Sequence, residues 1–143
     1  MNPAGTGVTS LVCPCGKPDK AGRPLAYADC CSRYVDHFFD APAPDAESLM
    51  RSRYSAFVLV RTDYLAATWH AITRPSDLAA DPGTRWLGLE VRGHAAIDAS
   101  HAEVEFVARY RPAGGSVPAV RMHERSRFVC EDKRWYYVAG ELL

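Results

Sequence analysis

Four of the five cysteines of this 143-residue chain lie within its first 31 residues. Cys13 and Cys15 have one residue between them, and Cys30 and Cys31 follow after fourteen more. Four thiolates can complete a tetrahedral shell around zinc, and such a shell leaves no position for a substrate. The pattern therefore predicts a structural zinc site with Cys13, Cys15, Cys30 and Cys31 as ligands. Its binding energy would help to fold a segment that is too short to bury a core of its own.

Other arrangements of the same sulfurs are open at this point. The four cysteines could form two disulfides, stay as unligated thiols or cycle through a reversible disulfide, although the neighbours Cys30 and Cys31 have poor disulfide geometry. His37 lies six positions after Cys31 and could replace one thiolate in the shell. The fifth cysteine, Cys130, is predicted to be a small buried apolar residue on a strand.

The cellular compartment of the chain helps to decide between a metal site and disulfides. Residues 1–12 contain neither the basic start nor the apolar stretch of a secretory signal. No stretch approaches the roughly 18 consecutive apolar residues that indicate a membrane span. The sequence therefore predicts a cytoplasmic protein without a membrane segment. Thiols stay reduced in that compartment, which favours a metal site over disulfides.

A second group of polar residues interrupts the apolar faces of two predicted elements. Arg53 lies within the apolar stripe of a helix, and Glu124 and Ser126 share a strand face with Met122 and Phe128. An unpaired buried charge is costly, so Arg53 and Glu124 are predicted to pair beneath the helix. The pair could be a structural ion pair that fixes the helix on the sheet. Alternatively it lines a ligand pocket with Ser126, whose walls would be Tyr54, Trp69, His70 and Trp86.

His70 and the apolar residues of the first strand carry further expectations. His70, at the end of a predicted helix, could act as an acid or base at neutral pH, or it could cap the last carbonyls of its helix. On the first strand, Leu87, Leu89 and Val91 are predicted to face the core, because they alternate with Trp86 on the opposite side.

The elements that position these residues follow from the periodicity of the apolar residues. A helix is predicted over 46–60 with Asp45 as its N-cap, and a shorter helix over about 62–70. Residues 71–84 contain two prolines and a glycine and predict a loop. The period then changes to two, which predicts four antiparallel strands at 86–97, 101–111, 117–130 and 134–138. Helices followed by a strand meander indicate an α+β fold, in which the helices pack on one face of a curved antiparallel sheet.

Charge and motif content exclude several classes of function. The chain has 17 basic and 17 acidic residues, so it lacks the net positive field that drives nucleic-acid binding. An outward basic row on the third strand is predicted to form a solvated charge ladder with the neighbouring strand. Its members are Arg121, His123, Arg125 and Arg127. The sequence contains no Walker loop, Rossmann glycine pattern, nucleophile elbow or metalloprotease motif, which favours a binding protein over an enzyme.

Particular motifs resemble a known bacterial family. Cys-Pro-Cys-Gly at 13–16 and Tyr-Ala-Asp-Cys-Cys at 27–31 resemble the SEC-C zinc motif, and later stretches resemble the YchJ family. Those stretches are residues 41–44, 49–57, 69–70, 86–89, 104–106, 123–128 and 135–137. The resemblance covers residues 13–140 and implies an N-terminal zinc module attached to a cone-shaped α+β roll of the nuclear-transport-factor-2-like type. It implies no reaction.

The expected division of the chain follows from that resemblance. It comprises a flexible tail over 1–12, a SEC-C-like zinc module over 13–40 and a nuclear-transport-factor-2-like α+β roll over 41–143. The spacing between the cysteine pairs is about six residues longer than is usual in the SEC-C motif, but lengthening a loop costs little entropy. Both ligand pairs can therefore stay in place.

These observations predict a zinc-binding cytoplasmic protein that acts as a binding or adaptor unit, with a protein partner that contacts the zinc module. The alternative is a small-molecule-binding protein or enzyme that uses the cavity of the roll. Nucleic acid and membrane partners are disfavoured. Exposed strand edges leave both a monomer and a homodimer open.

Overall fold

The computed structural model describes residues 11–143 of the chain. The predicted flexible tail falls mostly on residues 1–10, which lie outside the described residues. Its last two residues are described, and they pair with the chain that precedes the second cysteine pair. The carbonyl of Leu11 accepts from the N–H of Tyr27 at 2.7 Å, and Val12 forms an antiparallel bridge with Ala26. Backbone pairing therefore begins before the predicted start of the zinc module.

The module itself consists of turns and two short helices. A 3-10 helix spans Tyr27–Asp29, and α1 spans Ser32–Val35. The segment that follows is tied to the far end of the chain by Arg134, which donates to the carbonyls of Phe38 at 2.7 Å and Phe39 at 2.9 Å. The end of the module thus lies against the main body of the protein.

The longest helix, α2, spans Ala46–Val58. Asp45 is its N-cap as predicted, because the carboxylate accepts from the N–H of Ser48 at 2.7 Å. Glu47 lies in the first turn, where the helix dipole favours a carboxylate. The helix ends two residues earlier than predicted, because Val60 has a φ of 57°, which a right-handed helix does not include.

Four strands form one antiparallel sheet in the order β1-β2-β3-β4. They are β1 Arg85–Ala96, β2 His101–Arg111, β3 Val120–Glu131 and β4 Arg134–Leu142. The third strand begins three residues later than predicted, because Pro118 has no N–H to donate to a ladder. The fourth runs four residues further than predicted, because it pairs with β3 as far as Leu142.

The helices cover one face of this sheet, with α2 in contact with β1, β2 and β4. The prediction of an α+β fold with helices packed on an antiparallel sheet is therefore confirmed. No helix within residues 11–143 combines the length and the apolar character needed to cross a membrane.

The second helix of the roll, α3, spans Thr62–Ala67 and is shorter than predicted. The chain after it runs beside β4 instead of continuing the helix. The N–H of Tyr137 donates to the carbonyl of Thr68 at 2.8 Å, and the N–H of His70 donates to the carbonyl of Tyr137 at 2.8 Å. Pairing with the open edge of β4 therefore replaces the last turn of the predicted helix.

A bulge in β1 changes which of its side chains face the core. The register with β2 shifts between Trp86 and Gly88, so Leu87 is the extra residue. The prediction that Leu87 faces the core is wrong, because its side chain is 46% exposed while Trp86 packs against the core. A bulge interrupts the alternation on which that prediction was based. Leu89 and Val91, beyond the bulge, pack against the core as predicted.

The outer face of the sheet carries paired charges. Glu105 on β2 lies 2.7 Å from Nε2 of His123 and 3.7 Å from Nη2 of Arg125, both on β3. The hydrogen bond to His123 lowers the pKa of the Glu105 carboxyl. These contacts agree with the charge ladder that the sequence predicts for this face.

Candidate metal centre and cavity

The four clustered cysteines meet where the module packs against α2. Their sulfur atoms all lie within 4.8 Å of one another, and all four residues are buried. Sγ of Cys15 lies 3.7 Å from Sγ of Cys13 and 3.7 Å from Sγ of Cys30. Four sulfurs placed tetrahedrally at about 2.3 Å from a zinc ion would be separated by roughly 3.8 Å. The observed spacing fits such a shell.

Local turns bring the two cysteine pairs together across the long spacing. Gly16, with a φ of 75°, turns the chain after the first pair, and its N–H donates to the carbonyl of Cys13 at 3.3 Å. The residues between the pairs form a loop closed by Asp19, whose carboxylate accepts from the N–H groups of Ala21 at 2.8 Å and Arg23 at 2.9 Å. The extra length is therefore taken up in an exposed loop, and the chain returns beside the first pair.

The helix α2 lies directly against the sulfur cluster. Sγ of Cys13 is 3.6 Å from Oγ of Ser55, and Nη1 of Arg51 donates to the carbonyl of Cys15 at 3.1 Å. Arg51 is oriented by Glu47, 2.9 Å away on the same helix. Burial lowers the pKa of the Arg51 guanidinium, but the hydrogen bond to Glu47 and the nearby charge of Cys15 outweigh burial and raise it. Arg51 can therefore offset part of the negative charge of a thiolate shell.

The thiols influence one another's protonation. Hydrogen bonds to Cys15, Cys30 and Cys31 lower the pKa of Cys13, whereas contacts with Cys13, Cys15 and Cys30 raise the pKa of Cys31. The four thiols therefore lose their protons one after another and not together, because several negative charges at this distance repel. A divalent cation relieves that repulsion and displaces the remaining protons, which is how thiolate metal sites form.

The two other sequence candidates for metal chemistry lie apart from the cluster. His37 is exposed and does not belong to the group of close ligand atoms. Cys130 lies on β3 and is half-buried, not fully buried as expected. All five cysteines have free sulfur atoms. The geometry therefore favours four thiolate ligands over a set that includes histidine.

A cavity of about 390 Å³ lies between α2 and the inner face of the sheet. The structure brings together six of the seven residues that the sequence places in a pocket, namely Arg53, Tyr54, Trp69, Trp86, Glu124 and Ser126. Apolar and aromatic side chains form much of the remaining wall, including Phe57, Phe106, Tyr110, Met122, Phe128 and Tyr137. Ligand sites have this character, with an apolar lining and a few polar groups.

Arg53 reaches the cavity wall from α2 and is only 6% exposed. Its Nη1 donates to the carbonyl of Leu65 at 2.8 Å and to the hydroxyl of Thr68 at 2.7 Å. Its guanidinium carbon lies 5.2 Å from the ring centroid of Trp69 and 4.8 Å from that of Tyr137. Burial lowers the pKa of Arg53 to about 10, so the group stays charged at neutral pH.

Glu124 faces the same cavity from β3. Its Oε2 accepts from the hydroxyl of Ser126 at 2.5 Å and from the hydroxyl of Tyr137 at 3.4 Å. Burial and then the charge of Glu124 raise the pKa of Tyr137 to about 12, so this phenol keeps the proton that it donates. Gly140 on β4 leaves space for the carboxylate of Glu124, because a Cβ at position 140 would overlap its Oε2.

The structure does not contain the predicted ion pair between Arg53 and Glu124. Arg53 donates to a carbonyl and a hydroxyl at the end of α3, and Glu124 accepts from two neutral hydroxyls. Both residues lie on the predicted inner faces. The alternation of a strand predicts the face that a side chain occupies, but it does not predict which of several nearby partners the side chain contacts.

His70 does not lie in the cavity wall, which corrects its predicted place in the pocket. Because α3 ends at Ala67, the chain has already joined the edge of β4 before His70. Nε2 of His70 lies 3.1 Å from Oε2 of Glu131, and its ring packs edge-on against Tyr136 with centroids 6.0 Å apart. His70 therefore neither caps α3 nor reaches the groups in the cavity.

Sequence reasoning missed two partners of the charged groups in the cavity, Tyr137 and Thr68. Tyr137 has a sequence signal, because it lies two residues after Trp135 and therefore shares the face of β4 that packs against the core. Thr68 has none, because its contact with Arg53 depends on where α3 ends.

The sulfur cluster and the helix-covered antiparallel sheet define the class of this protein, a SEC-C-type cysteine module joined to a nuclear-transport-factor-2-like domain. The family described as YchJ, middle NTF2-like domain, matches residues 45–140. A UPF0225 protein of Polaromonas sp. strain JS666 is 64% identical over 129 residues, which cover 90% of this chain and 91% of the relative. The chain belongs to the YchJ family, whose relatives carry the name UPF0225.

Two solved structures are similar over nearly the whole chain. A SEC-C motif containing protein from Psychrobacter arcticus has a TM-score of 0.75 and 33% identity, and the match covers 95% of this chain and 85% of that one. A SEC-C motif containing protein from Rhodopseudomonas palustris has a TM-score of 0.73 and 33% identity, with coverage of 93% and 99%. The resemblance to the SEC-C motif and the YchJ family is therefore confirmed.

Proposed function

We propose that this protein binds one structural zinc ion through Cys13, Cys15, Cys30 and Cys31, in a reducing compartment such as the cytoplasm. The observation that supports the proposal is the convergence of four buried sulfurs within 4.8 Å of one another. Zinc favours a closed shell of four thiolates. When bound, it offsets part of their negative charge and cross-links the chain, and it leaves no open position for a reaction at the metal.

The zinc would hold together parts of the chain that are otherwise linked by few contacts. The first cysteine pair lies in a turn and the second at the start of the short helix α1. Arg51 and Ser55 then connect the cluster to α2. In this proposal the metal fastens the module to the roll, and the whole chain serves as a binding unit.

Metal analysis of protein purified without added zinc tests this proposal. We expect one zinc per wild-type chain and loss of that zinc in Cys30→Ser, because a serine hydroxyl is a poor substitute for a thiolate ligand. Cys130→Ser is the matched control, because that cysteine lies on β3 outside the cluster and should leave the zinc content unchanged. Wild-type protein without stoichiometric zinc, or a Cys30→Ser variant that retains it, would refute the assignment.

We also propose that the roll binds a small molecule in its cavity. The cavity volume of about 390 Å³ and the apolar lining with a few polar groups support this role. No feature described above assigns a reaction to the site, so the proposal is binding and not catalysis.

A substitution at the cavity wall tests this second proposal. Ala79 lines the cavity on the loop before β1 and is exposed, so Ala79→Trp should obstruct the opening without entering the core. We expect ethylbenzene, a small apolar probe, to shift the NMR signals of cavity residues in the wild type and to shift them much less in Ala79→Trp. If ethylbenzene leaves the wild-type signals of cavity residues in place, the cavity does not serve as an apolar binding site.

A further inference from the structure

Arg53 and Glu124 carry opposite charges and line the same cavity without a hydrogen bond or ion pair between them. Arg53 is only 6% exposed, and Glu124 is half-buried on the facing strand. Within the described part of the chain, all the partners that hydrogen-bond these two side chains are neutral. A buried charge without a counterion is unfavourable, and a bound ligand of complementary charge removes that penalty.

Each of the two groups keeps unused hydrogen-bonding capacity. Arg53 donates through Nη1, and no described residue accepts from its Nε or Nη2. That edge of a guanidinium is suited to a carboxylate, which it binds with two parallel hydrogen bonds. Glu124 accepts both of its hydrogen bonds at Oε2, so Oε1 has no described donor. That oxygen is suited to an ammonium group.

The two charged groups lie at the same end of the cavity. Tyr137 links them, because its ring lies 4.8 Å from the guanidinium carbon of Arg53 and its hydroxyl contacts Glu124. This end is formed by β3 and β4. Toward β1 and β2 the wall is aromatic, with Trp86 packed 5.1 Å from Tyr110 and 5.6 Å from Phe57 between ring centroids. Asp81 and Thr84, on the loop before β1, are polar and also line the cavity. The cavity therefore has Arg53 and Glu124 at one end and mainly aromatic side chains at the other.

We propose that the cavity binds an α-amino acid with a bulky apolar or aromatic side chain, its carboxylate on Arg53 and its ammonium on Glu124. This inference rests on the proposed binding role of the roll and names the class of ligand. In an α-amino acid the carboxylate and the ammonium group are attached to the same carbon. This matches the placement of Arg53 and Glu124, which both contact Tyr137. The side chain then extends toward the aromatic end near Trp86. A ligand with only one charge would leave either Arg53 or Glu124 without a counterion.

A matched set of probes separates these contributions. Phenylalanine carries both charges, 3-phenylpropionate only the carboxylate, phenethylamine only the ammonium, and ethylbenzene neither. We expect phenylalanine to bind the wild-type protein at least about tenfold more tightly than either singly charged probe, since each lost ion contact costs that much or more. Isothermal titration calorimetry gives the affinities, and NMR shifts of the cavity residues locate the probe.

Two variants test the role of Glu124 by different routes. Glu124→Gln removes the charge and keeps the shape, whereas Gly140→Ala keeps the charge and displaces the carboxylate. We expect both variants to bind phenylalanine no more tightly than 3-phenylpropionate. Glu90→Gln is the matched control, because Glu90 is exposed on β1 and lies 3.3 Å from Arg92, outside the cavity. It should keep the wild-type preference.

The outcomes separate this inference from the role on which it rests. Equal affinity for phenylalanine and 3-phenylpropionate in the wild type, or an undiminished preference in Glu124→Gln, overturns the inference. If ethylbenzene binds and phenylalanine does not, the inference falls and the cavity remains an apolar binding site. If neither binds, both the inference and the small-molecule role fall.

Discussion

Replacement of Cys15 with serine is expected to lower the unfolding free energy by at least about 4 kcal/mol, because loss of a metal is among the few single changes with an effect this large. Cys15 is fully buried, and its sulfur lies 3.7 Å from those of Cys13 and Cys30. Serine there would leave three sulfurs that do not close a four-coordinate shell. In a chain of 143 residues the change corresponds to a fall in Tm of roughly 13 °C.

In Cys15→Ser, the loss of stable structure should begin in the module and extend to α2. Hydrogen exchange measured by mass spectrometry should show lost protection over residues 11–36, and then in the middle of α2, where Arg51 contacts the carbonyl of Cys15. The paired strands β2 and β3 should keep their protection at low temperature. Calorimetry gives the change in Tm, with Cys130→Ser as the control. Equal melting temperatures for Cys15→Ser and Cys130→Ser would contradict a metal-stabilised module.

The cysteine cluster could be predicted from the sequence because its geometry is set by local features. The ligands come in two close pairs, so one turn at Gly16 and one helix start at Ser32 place them. The unusual spacing between the cysteine pairs has little effect on the positions of the sulfurs, because Asp19 closes the intervening residues into a loop. The strands were predictable for a similar reason, since alternation along each strand is itself a local property.

The cavity could be predicted only in part, because its geometry depends on contacts between distant segments. The inward faces of α2 and β3 follow from periodicity, and they place Arg53 and Glu124 correctly. The partners of Arg53 do not follow, because they depend on where α3 ends against β4. That same ending removes His70 from the cavity. The bulge at Leu87 has a similar effect on β1, where one extra residue exchanges the two faces of the strand.

The contacts that Arg53 makes stabilise the fold by about as much as burial of its charge costs. Two hydrogen bonds from a charged donor contribute about 1.5–3 kcal/mol each, and contacts with two aromatic rings add about 0.5–2 kcal/mol each. Burial of the guanidinium away from water costs several kcal/mol, so these terms nearly cancel. A structural ion pair with Glu124 would have shifted this balance, but the carboxylate contacts neutral hydroxyls instead.

Arg53→Met is therefore expected to change the unfolding free energy by less than about 2 kcal/mol, because methionine fills much of the same volume without a charge to bury. The same change should weaken phenylalanine binding about 100-fold, which is the loss expected for a charge-assisted bidentate contact of about 3 kcal/mol. Urea unfolding and calorimetric titration measure the two effects. Arg127→Met, on the exposed outer face of β3, is the matched control and should change neither. If Arg53→Met unfolds the protein but the folded fraction binds phenylalanine normally, Arg53 stabilises the fold and does not contact the ligand.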